Sequence, residues 1–337
     1  MSIENVRFEV MQTLEKSINS FVDRFLTAPD KIWQPSDLLP DPTADNFIEE
    51  VKEIRELSKE LGDDFWVVMV GDMVTEEALP TYESWLMDMD GVNQHHGEVR
   101  NERDNGWAKW IRAWTAEENR HGDVLNKYLY LSGRINMREV EVSTQHLIAD
   151  GFDAGTAQDP YKNFVFTSFQ ELATFVSHNN TANMARNAGH KALAKMCKQI
   201  AGDEMRHHVA YSEFVKQIFK YDPSEMMKAF HHMMKTKITM PAMNVRNSFG
   251  SKGDLFDQFS IAAQRIGVYT SFDYVDILKK LNKMWDIENI NGLTDEAERA
   301  RDYLAKLPER MYRLAERAVL PDTKYDWKWI TPAMLAV

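Results

Sequence analysis

Two short segments constrain the fold of this chain more than any other feature. Glu117-Glu118-Asn119-Arg120-His121 and Asp203-Glu204-Met205-Arg206-His207 share one order: an acidic residue, Glu, any residue, Arg, His. Each lies in a run whose apolar residues recur at steps of three and four. Trp107, Trp110, Ile111 and Trp114 lead into Glu118 and His121, with Leu125 and Tyr128 beyond. Leu193, Cys197 and Ile200 lead into Glu204 and His207, with Tyr211 and Ile218 beyond. Such spacing puts all of them on one face of a helix. Both motifs therefore turn a carboxylate and an imidazole toward an interior, where a charge needs a compensating partner and a metal cation is an efficient one. Their likeness points to a duplicated helical unit.

Two helical Glu-x-x-His units need a further Glu from each of two other helices if they are to build the di-iron site of a four-helix bundle. The chain carries candidates in that alternation. Val74-Thr75-Glu76-Glu77-Ala78-Leu79 continues the apolar phase of Met69 and Met73, and between the two motifs Phe164, Ser168, Glu171, Phe175 and His178 share a face. Spacing does not choose between Glu76 and Glu77. His208 is also within helical reach of Glu204, but parity with the first motif favours His207. Oxygen and nitrogen ligands without sulfur suit iron or manganese better than zinc or copper(I). The rival reading is a helical protein whose inward polar residues only satisfy one another through hydrogen bonds.

The rest of the chain fits an all-α protein. Its 337 residues are 44% hydrophobic and 27% charged, enough for one large core. Helix formers dominate and alternating β-branched runs are scarce. The periodicity predicts helices near 46–61, 65–88, 107–132, 137–149, 161–187, 190–219, 223–237, 254–283 and 294–318. We expect one domain over residues 1–337, with residues 1–45 forming an N-terminal helix and an extended Pro-rich segment, Trp33 to Pro42, packed on it. The sole cysteine, Cys197, allows no intramolecular disulfide and falls in an apolar phase that suits core packing. The N-terminus lacks the basic and apolar regions of a secretory signal. The longest apolar run, Phe65 to Val70, is far short of the ~20 residues that span a bilayer, so a soluble protein is expected. A net charge of −12 disfavours nucleic acid as a partner. Lys279, Lys280 and Lys283 read as a solvated helix face.

Longer motifs run from about Trp33 to Arg317. They include Trp33-Gln34-Pro35, Leu39-Pro40-Asp41-Pro42, Gly71-Asp72-Met73 and Glu76-Glu77-Ala78-Leu79-Pro80-Thr81-Tyr82. Others are Arg112-Ala113-Trp114 through Glu118-Asn119-Arg120-His121 to Asn126-Lys127-Tyr128-Leu129-Tyr130-Leu131-Ser132-Gly133-Arg134, then Thr167-Ser168-Phe169-Gln170-Glu171, Asp203-Glu204, Arg206-His207 and Gly267-Val268-Tyr269-Thr270. On these residues the chain resembles the soluble acyl-acyl-carrier-protein desaturases, a family that includes the stearoyl-carrier desaturases of plant plastids. The resemblance implies a ferritin-like four-helix bundle with additional helices. It also implies iron ligands Glu76, Glu118, His121, Glu171, Glu204 and His207, and so chooses Glu76 over Glu77. Asp203 and Trp33 match residues on an electron path from His121 toward the surface, and a carboxylate on a ligand histidine also fixes its tautomer. Thr174 matches a threonine beside the oxygen site, Thr75 adjoins the first ligand, and Trp85 and Asn163 fall near the far end of the acyl channel.

The activity that the resemblance implies is O2-dependent desaturation by two iron ions (Fe2+/Fe3+). A cis double bond, Δ9, would enter a saturated acyl chain held on acyl carrier protein, with electrons from a ferredoxin-type donor and water as the other product. A homodimer is expected. The N-terminal region has no Arg/Ser-rich transit peptide, which favours a bacterial cytoplasmic protein, or a plastid stromal one in trimmed mature form. Residues 93–106 look longer than the usual loop of the family. His95, His96, His231 and His232 are expected in surface or packing roles. Ribonucleotide reductase small subunits share the ligand types, but their radical Tyr falls where this chain has Leu125. Ferritin-like iron stores are much shorter and lack the Trp33-Gln34-Pro35 segment.

Overall fold

The computed structural model describes residues 3–92, 94–95, 98–99, 106–236, 238–246, 255–322 and 326–331. The N-terminal region forms two short helices rather than the single one expected, α1 (Ile3–Glu15) and α2 (Ile18–Phe25). There follow α3 (Phe47–Lys59), α4 (Asp63–Glu77) and α5 (Leu79–Met87), then a minimal antiparallel pair of strands, β1 (Gln94–His95) and β2 (Glu98–Val99). Of the 93–106 segment, His96 lies outside the described residues, as does the side chain of His95. The remaining helices are α6 (Gly106–Ser132), α7 (Met137–Asp150), α8 (Pro160–Asn187), α9 (Lys191–Tyr221), α10 (Pro223–Thr236), α11 (Leu255–Ile266), α12 (Ser271–Met284) and α13 (Asp295–Ala315).

The start and stop signals are local. Asp159 caps α8 by accepting from the backbone N–H of Tyr161 and Lys162, with Pro160 at the first helical position, where no N–H is needed. Thr270 and Asp273 form a reciprocal capping box at the start of α12, and Thr294 caps α13. Two expected helices are each broken in two. The 65–88 run ends α4 at Glu77 and restarts as α5, because the Pro80 ring would clash with the Glu76 carbonyl in a continuous helix. Tyr82 Oη donates to the Thr75 carbonyl at 2.7 Å across this break. The 254–283 run is cut where Gly267 takes φ +74°, a left-handed conformation suited to a helix end.

The four long inner helices α4, α6, α8 and α9 pack as a bundle, α8 and α9 along most of their lengths. α1 and α2 lie against α6 and α9, while α10 to α13 cover the outer faces. Trp107, Trp110 and Trp114 of α6 meet Phe164 of α8 and Tyr211 and Phe214 of α9, mostly edge to face. This aromatic stack fills the bundle below the two motifs. Cys197 is buried in the core. Lys279, Lys280 and Lys283 lie on an exposed face of α12. His231 and His232 are half-buried on α10, His231 against the Tyr303 ring at 4.7 Å. Among the described residues no helix is long and apolar enough to cross a membrane.

Gly71 on α4 is packed so closely by α11 that a Cβ there would fall 2.0 Å from Cε2 of Phe259. Alanine is intrinsically the better helix residue by about 1 kcal/mol, so the sign of the outcome is informative. Gly71→Ala is expected to lose about 1–3 kcal/mol through overpacking in denaturant unfolding. A net gain in stability would show that the Phe259 ring gives way freely.

Candidate metal centre

The bundle brings together six side chains that the sequence singles out. Glu76 comes from the last turn of α4, Glu118 and His121 from α6, Glu171 from α8, and Glu204 and His207 from α9. They form two overlapping groups, Glu76-Glu118-His121-Glu204 and Glu118-Glu171-Glu204-His207, each with ligand atoms within 4.8 Å of one another. All six are buried, none more than 7% exposed. Glu118 and Glu204 belong to both groups and sit between the two histidines. Glu77 is not part of the cluster. It is half-buried on the neighbouring face, where Gly122 lets α6 approach α4: a Cβ on Gly122 would lie 3.0 Å from Glu77 Cγ and 3.3 Å from the Glu76 carbonyl carbon.

The donor set fits a metal on its own evidence. Glu118 Oε1, His121 Nδ1, Glu171 Oε2, Glu204 Oε1 and His207 Nδ1 are buried polar atoms with no hydrogen-bond partner. They nonetheless converge: His121 Nδ1 is 3.0 Å from Glu204 Oε1, and His207 Nδ1 is 2.5 Å from Glu118 Oε1, without hydrogen-bond alignment. Buried polar atoms left unmatched are costly, and native proteins rarely keep them without a reason. Four carboxylates against two imidazoles leave a negative excess that cations would balance. The titration behaviour reflects the same crowding. Burial pushes Glu171 well above its usual value, and the Glu118 and Glu204 charges push it further. Glu204 is raised by burial and by Glu118 and Glu76. Burial would also raise Glu118, but His121 and His207 outweigh it and hold that carboxyl well below its usual value.

A family model described as fatty acid desaturase matches residues 6–331. The chain belongs to the fatty acid desaturase family. It is 49% identical over 312 residues to a chloroplastic stearoyl-acyl-carrier-protein 9-desaturase of Gossypium hirsutum, covering 93% of this chain and 77% of that protein. It is 49% identical over 331 residues to the corresponding protein of Spinacia oleracea, covering 97% of this chain and 82% of that one. Among solved structures it resembles an acyl-ACP desaturase candidate from Mycobacterium tuberculosis, with a TM-score of 0.52 at 16% identity, over 87% of this chain and 99% of that chain. The last likeness bears on the fold alone.

Around this desaturase-family cluster lies a crossed set of contacts. His121 Nε2 donates to Asp203 Oδ2 at 3.2 Å, and His207 Nε2 donates to Glu117 Oε2 at 2.8 Å. The acidic residue of each motif thus holds the histidine of the other. Each ring is fixed with its Nδ1 toward the cluster. The arginines cross as well: Arg120 donates to Asp203 at 3.0 Å, and Arg206 to Glu117 and to Asp203, both at 2.7 Å. Burial would raise Asp203, but His121 and Arg206 hold it well below its usual value. The N-terminal segment closes the arrangement. Trp33 Nε1 donates to Asp203 at 3.0 Å, its ring lies flat beside His121 at 6.0 Å, and Arg120 sits 4.2 Å over its face. The backbone N–H of Thr27 donates to Glu117.

The other candidates are placed less centrally. Thr174 Oγ1 donates to Glu204 Oε2 at 2.5 Å. Thr75 is buried beside Glu76 and offers its carbonyl to Tyr82. His208 points away, with Nδ1 donating to the Ser168 carbonyl at 2.7 Å, and burial pulls its imidazole down to about 4. Trp85 and Asn163 lie toward another level of the bundle, joined through Thr156: Trp85 Nε1 donates to Thr156 Oγ1 at 3.1 Å, which donates to Asn163 Oδ1 at 2.6 Å. Periodicity assigns no task to Glu117, His178 or Trp114. The repeated acidic residue before each Glu was the available signal for Glu117.

Proposed function

We propose that the protein is an acyl-acyl-carrier-protein desaturase that introduces a cis double bond, at Δ9, into a saturated acyl chain. The observation that carries this reading is the joint presence of the buried Glu/His cluster and about 49% identity, over nearly the whole chain, to stearoyl-acyl-carrier-protein 9-desaturases. The cluster would hold two irons through Glu76, Glu118, His121, Glu171, Glu204 and His207. Bound there, they would supply the oxidising power to remove hydrogen from an unactivated methylene, which no side chain possesses. In the overall reaction the acyl chain loses two hydrogens, and O2 with two electrons and two protons leaves as two waters.

The chain's own groups do the rest. Asp203 and Glu117 hold the Nε2 protons of His121 and His207, so each ring, in its neutral form, turns its Nδ1 lone pair to the cluster. Trp33, in contact with Asp203 and His121, is the entry point toward which a ferredoxin-type donor would deliver electrons. Thr174 keeps its hydroxyl proton on Glu204 beside the oxygen site, and Thr75 adjoins Glu76. The aromatic and aliphatic packing around the cluster excludes water from a substrate that has no polar handle near its middle. In this reading the chain is one domain and works as a homodimer, in the bacterial cytoplasm or the plastid stroma.

Purified protein supplied with reduced ferredoxin, O2 and a panel of saturated acyl carriers is expected to give monounsaturated products by mass spectrometry. A full iron complement with no unsaturated product at any chain length would sink the desaturase reading in favour of another ferritin-like protein, such as an iron store. Trp85 and Asn163 are assigned to the far end of the acyl chain, where their bulk shortens the preferred substrate. Faster turnover of an 18-carbon chain than a 16-carbon one would remove that assignment and leave desaturation in place.

A further inference from the structure

Thr156 joins Trp85 to Asn163, yet it lies in the connection between α7 and α8 rather than on a helix. That connection, residues 151–159, turns two side chains inward. Phe152 meets the Trp85 ring edge to face at 6.3 Å, and Thr156 is fully buried. Holding them there strains the backbone. Ala157 takes φ +49°, a left-handed conformation that is costly for a residue with a Cβ. Such a residue persists only where its surroundings over-determine it. Two ties do so. On one side, just beyond α5, the Asp90 N–H donates to the Gln158 carbonyl at 3.0 Å and Gln158 Nε2 donates to Asp88 Oδ2 at 2.9 Å. On the other side stands Arg7 of α1. Its Nη1 pairs with Asp159 Oδ2 at 2.8 Å, and its guanidinium lies 5.4 Å over the Tyr161 ring. Asp159, the N-cap of α8, carries the tie inward: its N–H donates to the Thr156 carbonyl at 3.2 Å, and its carbonyl accepts from the Asn163 N–H at 3.1 Å.

We propose that Arg7 is a positioning residue for the level of Trp85 and Asn163: by holding Asp159 it keeps Thr156 and Asn163 against Trp85, and so the N-terminal helix α1 limits the length of acyl chain the protein accepts. An ion pair in open solvent would have little such force. This one is mostly shielded, with the Asp159 side chain 8% exposed and that of Arg7 21%. It also acts directly on the strained turn, because Asp159 is hydrogen-bonded through its backbone to both Thr156 and Asn163. Arg7 Nη2 reaches a second carboxylate, Glu225 Oε2 of α10, at 3.6 Å. A general role in docking α1 would run through both partners, whereas the positioning role runs through Asp159 alone. This inference rests on the reading of Trp85 and Asn163 as the far end of the acyl chain.

The test compares the iron-loaded parent with Arg7→Ala, Asp159→Asn, Glu225→Gln and Asn163→Ala, each supplied with reduced ferredoxin, O2 and a ladder of saturated acyl carriers. Asn at 159 keeps a side-chain oxygen to cap α8 but loses the charge that holds Arg7. The readout is the ratio of kcat/KM for the next longer even-numbered chain to that for the parent's best chain. Amide hydrogen exchange over residues 151–163 and circular dichroism are measured alongside. Arg7→Ala and Asp159→Asn are each expected to raise the ratio about 10-fold, the lower end of what one methylene is worth in a closed apolar pocket. Exchange in the segment should quicken in both, and the double variant should exceed neither single one. Glu225→Gln keeps the parent ratio. If Arg7→Ala does not fold, Asp159→Asn decides. An unchanged ratio in Asp159→Asn, an equal rise in Glu225→Gln, or a loss of rate common to all chain lengths overturns the proposal. Asn163→Ala tests the underlying reading, since removing its bulk should also favour the longer chain. A rise there without one in Asp159→Asn sinks the proposal alone, and a rise in neither sinks the assignment of the chain's far end with it. A parent that forms no unsaturated product overturns the desaturase reading and the proposal together.

Discussion

Glu118→Ala is expected to leave a folded helical chain that keeps less than about one iron of an expected two and forms no unsaturated product. The residue belongs to both groups that could hold a metal and is the one carboxylate whose two oxygens both face the cluster histidines. Its removal subtracts a ligand from each half of the centre at once, whereas loss of Glu76 or Glu171 subtracts from one half. The fold should survive because no aligned hydrogen bond from Glu118 Oε1 ties α6 to another helix: that atom is among the buried ones without a partner. Helix packing rests on the aromatic stack and on the crossed contacts of Asp203 and Glu117. Metal analysis, circular dichroism and the acyl-carrier assay on one preparation check all three outcomes. Unchanged iron content would refute the ligand set, and loss of helicity would show that the carboxylate has a structural task.

Much of this centre was legible in the chain because helical periodicity is a local property. Steps of three and four put Glu118 with His121, and Glu204 with His207, on inner faces, and the same rule put Glu171 and His178 on one face of α8. What periodicity does not contain is which face meets which. Glu76 and Glu77 are equally in phase, and the difference between them is set by where α4 stops at the Pro80 break and how near Gly122 lets α6 approach. The partner of Glu117 lies on α9, ninety residues away, and that of His178 lies on α4. Neither pairing has a sequence signature beyond the repeated acidic residue. The two broken helices carried visible signals in Pro80 and Gly267, but an unbroken apolar phase ran across both. In those places backbone chemistry overrides patterning.

Asp203→Ala is expected to cost about 3–5 kcal/mol of stability, the range for removing one partner of a buried ionic contact. The effect should appear in the metal-free protein, which separates it from any change in iron binding. Asp203 is 3% exposed and accepts from Trp33, Arg120, His121 and Arg206. Alanine leaves the Arg120 guanidinium, itself only 5% exposed, with the Trp33 carbonyl and ring but no counter-charge. It also frees the Trp33 indole, so the N-terminal segment loses one of its anchors on the bundle. The pH dependence follows from the sign of the shift. The folded carboxyl lies well below the unfolded value of about 3.9, so its stabilisation is complete above that pH and drains away as pH falls through the folded value. Parent and variant should therefore differ most at neutral pH and converge in strong acid. Denaturant unfolding of both metal-free proteins between pH 2 and pH 7 follows the onset of this convergence below about pH 4. A neutral-pH difference below about 1 kcal/mol, the value of a solvated surface pair, would mean that water replaces the carboxylate and that the crossed contacts are not what joins the two motifs.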